Sequence, residues 1–90
     1  MYSLEPTPFE VRKTLAQRHR VLRTQMKMSQ QEMAERSGVS LGSLKRFENQ
    51  GKISLESLLK LVHLIGRLEE FNNLLLPSEN MDEIKKLFSK

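Results

Sequence analysis

The sequence predicts an all-α fold, and three observations carry that prediction. Apolar residues recur at three-and-four spacing along most of the chain. No stretch alternates as a half-buried strand does. Glycine and proline are scarce, and Gly38, Gly51 and Gly66 fall where apolar stripes stop. A chain of 90 residues makes one domain. A domain of this size buries somewhat over ~60% of its unfolded surface, so the core is thin. Hydrophobic residues at 38% and charged residues at 29% fit a folded globular chain rather than a disordered one.

The first helix is expected to open at "TPFE": Thr7 caps, Pro8 fits the first helical position, and Glu10 closes a capping box. Val11, Leu15, Leu22 and Met26 form its expected inward face, with Arg12, Lys13, Arg20 and Lys27 opposite and an end near Met26. A second helix starts with the box "SQQE" from Ser29 to Glu32, turns Met33 and Ala34 inward, and stops at Gly38. A third, capped by Ser40 and running to about Asn49, turns Leu44 and Phe47 inward and ends at Gly51. Ser54 caps a fourth, which shows one stripe of Leu55, Leu58, Leu59, Val62 and Ile65 and a second of Leu61, Leu64 and Leu68. After Gly66, "RLEEFNNLLL" is expected to form a fifth helix up to Pro77. The tail "SENMDEIKKLFSK" reads as a short amphipathic helix with Ile84, Leu87 and Phe88 on its apolar side. The expected division is residues 1–76 as the main domain and 77–90 as a C-terminal helical tail.

Several function classes drop out. Without cysteine there are no disulfides and no thiolate metal sites. His19 and His63 have no metal-ligand spacing, no nucleophile and base set emerges, and no glycine-rich phosphate loop follows a strand. No enzyme, metal or cofactor is therefore expected. The start "MYSLEPTPFEVRK" has no signal-like apolar core, and no run approaches the ~18 apolar residues of a membrane span. The expected location is cytoplasmic, at the nucleoid. The net charge of +4 is concentrated in the first 28 residues, which hold six cations and two anions and suit a polyanionic partner.

The segment from Gln30 to Glu48 has the sequence signature of a helix-turn-helix. Ala34 is small enough for a close crossing, Gly38 makes the turn, and Met33, Val39, Leu44 and Phe47 fill the space between the helices. In that motif (here residues 29–51) the second helix enters the DNA major groove. Its outward face carries Leu41, Gly42, Ser43, Lys45 and Arg46, the expected base-contacting residues. Lysine and arginine donate to guanine O6 and N7, serine suits several base edges, and leucine touches a thymine methyl. Ser29, Gln30, Ser40, Asn49 and Lys52 are the expected phosphate contacts, at helix starts and in the loop after the third helix.

The stretch "LRTQMKMSQQEMAERSGVSLGSLKRFENQGK" resembles the lambda-repressor-like (Xre/Cro) helix-turn-helix regulators. The matching landmarks are Leu22-Arg23, Ser29-Gln30, Ala34, Gly38, Ser40, Leu44, Phe47-Glu48 and Gly51, and the likeness extends over roughly Leu15 to Leu68. It implies a five-helix domain, sequence-specific binding of double-stranded DNA, and a structural ion pair between Arg23 and Glu48. Three positions depart from the family pattern: Asn49-Gln50-Gly51 is one residue longer than usual, Ser37 replaces an apolar residue, and Lys27 stands where glycine is frequent. "FENQGKISLESLLKLVHLIGRLEEFNNLL" is also similar to small antitoxins of Hip-type toxin–antitoxin systems.

The expectation is thus a small prokaryotic or phage transcriptional regulator, acting as a homodimer on a pseudo-palindromic operator. Leu61, Leu64, Leu68, Leu74 and Leu75 are the expected dimer residues, because the leucines exceed what a single thin face needs. One alternative is an antitoxin that binds a protein toxin and represses its own operon. Another is an adaptor that uses the same fold for protein contacts alone.

Overall fold

The computed structural model describes residues 5–78 and Leu87. It is all-helical: α1 Pro8–Gln25, α2 Gln30–Ser37, α3 Leu41–Gln50, α4 Leu55–Ile65 and α5 Leu68–Asn72. Hydroxyl caps set four starts. Thr7, Ser29, Ser40 and Ser54 each accept the backbone N–H three residues on. At α1 the box is complete, since the Glu10 carboxylate accepts the Thr7 N–H in return. At α2 it is half made: Glu32 instead pairs with Arg36 at 2.8 Å, one turn on along the same helix.

Gly38 ends α2 with φ +81°, and Gly51 ends α3 with φ +71°. Ser37 explains its own departure from the family pattern. Its hydroxyl accepts the Val39 N–H and donates to the Ala34 carbonyl, tying the turn together. Lys27 holds φ +60°, a left-handed conformation that glycine adopts at no steric cost.

The helix α3 lies centrally, packed on α1 and α2; α4 packs on α2, and α5 on α4. Met33, Leu44 and Leu61 are fully buried, surrounded by Phe47, Ala16, Met28, Ala34 and Val39.

Three expectations are corrected. Of the expected inward face of α1, Leu15 packs on the core and Leu22 is half-buried, but Val11 and Met26 are exposed, and the fully buried stripe is Ala16, His19 and Arg23. The two polar residues are drawn in because the end of α3 supplies their partner. Leu61 belongs to the core and is not available to a dimer face; Leu64 is half-buried against that core, while Leu68, Leu74 and Leu75 are exposed. The fifth helix stops at Asn72 rather than running to Pro77. It has no side-chain N-cap bond, Asn72-Asn73 are weak helix formers, and Leu75 turns to φ +60°. Most of the expected tail helix lies outside the described residues; from residue 79 on, Leu87 alone is described, helical and exposed.

Candidate nucleic-acid interface

With Leu44, Phe47 and Glu48 buried, the rotation of α3 about its axis is fixed. Gly42, Ser43, Lys45, Arg46 and Asn49 then stand exposed, and Leu41 is half-buried against the core. Lys45, Arg46 and Lys52 make no hydrogen bond or ion pair with another described residue. Their charges are therefore unspent among the described residues. Ser43 is held at the start of the helix by Ser40: its N–H donates to Ser40 Oγ at 3.1 Å, and the Ser40 hydroxyl donates to Ser43 Oγ at 2.8 Å. Arg46, Lys52, Ser43, Ser54 and Ser57, with Ile53, line a cleft of about 360 Å³ beside the first turn of α4. Two cations and three hydroxyls around such a cleft suit a phosphate group.

A β-carbon built on Gly42 meets nothing within 4 Å. The fold itself does not require glycine there. Gly42→Ala is expected to stabilise the free chain by up to about 1 kcal/mol, from helix propensity. If the backbone at this point lies close to DNA, the same variant binds DNA more weakly while unfolding at higher urea. Urea unfolding and DNA titrations on one sample separate the two effects; unchanged DNA affinity removes Gly42 from the interface.

The outward face is held from below by a buried polar cluster. Both oxygens of Glu48 are engaged: Arg23 Nε donates to Oε2 and Arg23 Nη2 to Oε1, each at 2.9 Å. Gln30 Nε2 donates to Oε1 at 3.0 Å, and His19 Nδ1 lies 2.8 Å from Oε2. Arg23 also donates to the Met28 carbonyl at 2.9 Å. One carboxylate therefore joins α1, the α1–α2 turn and the first residue of α2 to the end of α3. Gln30, expected at a phosphate, has part of its amide committed to this cluster. Ser29, which caps α2, is exposed.

Two further cations hold the end of α3. Lys13 Nζ donates to the Asn49 carbonyl at 3.0 Å, and Arg20 donates to Asn49 Oδ1 at 3.1 Å and to the Glu48 carbonyl at 3.4 Å. Cations belong at a helix C-terminus, where carbonyls lack intrahelical partners. Lys13, His19 and Arg20 were not assigned this role from the sequence. The available signal was the three-and-four spacing of Ala16, His19 and Arg23, which places a histidine and an arginine on one stripe with a small apolar residue.

Burial pushes the Glu48 carboxyl up, but the hydrogen bonds from Arg23, Gln30 and His19 outweigh it and hold it below its ordinary value. Burial pushes His19 down, and this outweighs the attraction of Glu48. Neutral His19 therefore donates from Nδ1 to Glu48, the tautomer its partner dictates. Protonation would add an N–H at Nε2, a buried atom with no hydrogen-bond partner among the described residues.

Both groups bind protons more readily unfolded than folded. The stability due to His19 is complete above its unfolded value near 6.5 and is lost as pH falls through its lower folded value. The contribution of Glu48 is complete above 4.5 and is lost at lower pH still. Urea unfolding at a series of pH values should show stability declining from just below 6.5, before carboxylates titrate. A His19→Asn variant should lose that first decline. A variant with an unchanged profile would remove His19 from the account.

Among the described residues no group of histidine, aspartate and glutamate side chains is arranged to hold a metal ion, and no helix is long and apolar enough to cross a membrane. A helix-turn-helix family profile matches residues 20–71, which is more than half of the chain. Comparison with curated proteins and with solved structures gave no match.

Proposed function

The chain belongs to the lambda-repressor-like helix-turn-helix family of DNA-binding regulators, and from that premise we propose that it reads double-stranded DNA with α3 in the major groove, as a dimeric repressor of transcription. The observation that carries this reading is the exposed face of α3, where Ser43, Lys45 and Arg46 surround Gly42 and neither cation has a partner among the described residues. Arg46 and Lys45 read guanine edges; Ser43 and the exposed edge of Leu41 contribute shorter-range contacts. Ser29, Gln30, Ser40, Asn49 and Lys52 contact phosphates on either side. Lys52 with Ser54 and Ser57 at the start of α4 forms the most developed phosphate position, given the cleft they share.

Two copies related by a two-fold axis present their α3 helices about one DNA turn apart, ~34 Å, and so prefer a pseudo-palindrome. Repression follows from occupancy of such a site within a promoter. The site of action is the nucleoid.

Selection from a random duplex library at physiological salt tests the proposal. An enriched two-fold-symmetric site is the expected result. On that site Arg46→Ala should cost about 1–3 kcal/mol and relax preference at one or two base pairs. Lys52→Ala should weaken all sequences alike and make the salt dependence shallower by about one unit of log–log slope. Undiminished discrimination by Arg46→Ala would sink the assignment of α3 as the reading helix. Consecutive exposed leucines at 74–76 favour a second reading, in which the regulator is also an antitoxin that binds a protein toxin. Co-purification of a kinase-like partner with the chain, lost on Leu75→Asp, would support it.

A further inference from the structure

A groove of about 580 Å³ runs between α1 on one side and α4 with α5 on the other. It exists because α1 packs on α3 while α4 packs on α2, so the two walls diverge. Its floor is apolar, from Leu15, Leu22, Leu58, Val62 and Ile65. Arg18, Arg67 and Glu70 stand along its rim. Arg67 is held by Glu70, whereas Arg18 has no partner among the described residues. The walls also include His19, whose buried Nε2 has no hydrogen-bond partner.

We propose that this groove receives the C-terminal segment, residues 79–90, of a second copy of the chain, and that the exchange is reciprocal. The proposal rests on the dimeric reading above and specifies the surface that makes the dimer.

Length is the first argument. Along α1 the groove extends from Thr14 to Gln25, about 17 Å at helical rise. Wound as a helix, residues 79–90 measure about 18 Å. Pattern is the second. Met81, Ile84 and Phe88 recur at three-and-four spacing with Leu87 beside them, which gives the segment an apolar side to match an apolar floor. Charge is the third: Glu79, Asp82 and Glu83 lie at the start of the segment, and Arg18 on the rim, with no partner among the described residues, offers them a cation.

What remains exposed selects the second copy over the chain's own tail. Leu87 is helical and 75% exposed, so its own groove does not cover it. Leu74, Leu75 and Leu76, which lead from α5 toward the segment, are 58%, 98% and 67% exposed. A reciprocal exchange covers Leu87 and is isologous, as a two-fold dimer on a palindrome requires.

The absence of cysteine makes the test direct. Val21 is a wall residue at 49% exposure, so it can be changed without disturbing the core. Sedimentation equilibrium of the full chain should show a dimer. Val21→Asp and Ile84→Asp, each checked for unchanged helical content, should raise its dissociation constant at least about tenfold. Mixing a Val21→Cys chain with a Leu87→Cys chain under mild oxidation should yield the mixed disulfide dimer, identified by peptide mapping. In a chain carrying both cysteines, a ring-closed monomer without mixed dimers would seat the segment on its own chain and overturn the exchange. An intact dimer in both aspartate variants, with no mixed disulfide, would overturn the groove as the interface and leave the dimeric DNA reading standing. A chain that is monomeric both free and on its selected DNA site would overturn both.

Discussion

Glu48→Ala is expected to be the most damaging single substitution in this chain, at about 3–5 kcal/mol. The reason is what the substitution leaves behind. The Glu48 side chain is fully buried, and Arg23, 8% exposed, directs two of its donors at that carboxylate. Without the carboxylate, a buried guanidinium loses its counter-charge, and His19 and Gln30 each lose an acceptor. Typical domains are stable by only ~5–15 kcal/mol, so this is a large fraction. It should lower Tm by roughly 12–40 °C, at ~4–8 °C per kcal/mol for a domain of this size.

Arg23→Ala should cost less, because Glu48 keeps His19 and Gln30 and has Arg20 Nε at 3.7 Å. The double variant should cost less than the sum of the two, since each partner is worst when stranded. Urea unfolding followed by circular dichroism measures all three. A loss under about 1 kcal/mol for Glu48→Ala would mean that water or rearrangement replaces the carboxylate, and that the cluster does not hold α3 in place.

The pattern of agreement between sequence and fold follows the range of the forces involved. Helix starts at Thr7, Ser29, Ser40 and Ser54, and stops at Gly38 and Gly51, are legible because each is a contact within a few residues. The outward face of α3 is legible for a related reason: Leu44 and Phe47 fix the phase, and the exposed residues follow from helical geometry. The inward face of α1 is legible only in Leu15 and Leu22, which are half-buried. Val11 and Met26 match the apolar pattern better than His19 or Arg23, but Glu48 lies 29 and 25 residues further along, and nothing local announces the pairing. Arg23 was reached through family resemblance, and His19 only through the structure. In α4 both leucine stripes satisfy the helical period; the position of α2 decides that Leu61, and not Leu55, is buried. The identity of the base pairs that face Lys45 and Arg46 is not encoded in the fold, because those side chains have no partner among the described residues.

Gly51→Ala is expected to cost about 2–5 kcal/mol, and the comparison with Gly38→Ala shows where the cost arises. Both glycines end a helix in the left-handed region, at φ +71° and +81°, so alanine brings a similar backbone strain of about 1–2 kcal/mol to each. Their surroundings differ. A β-carbon at Gly38 meets nothing within 4 Å, whereas at Gly51 it lies 2.9 Å from both the carbonyl carbon and the oxygen of Arg12. Those are main-chain atoms inside α1, and no side-chain rotation relieves the overlap. Relief requires α1 to move away from α3, which loosens the bonds from Lys13 and Arg20 to Asn49 and opens the crevice that keeps Glu48 dry. Overpacking of this kind adds about 1–3 kcal/mol to the strain. Parallel urea titrations of the two alanine variants isolate this steric contribution as their difference. A clear excess for Gly51→Ala makes the close approach of α1 to the end of α3 a fixed feature of the fold, and DNA affinity should then fall in the same variant because α3 loses its support. Equal losses would mean that α1 yields at little cost, so that its packing on α3 contributes little to the placement of the reading face.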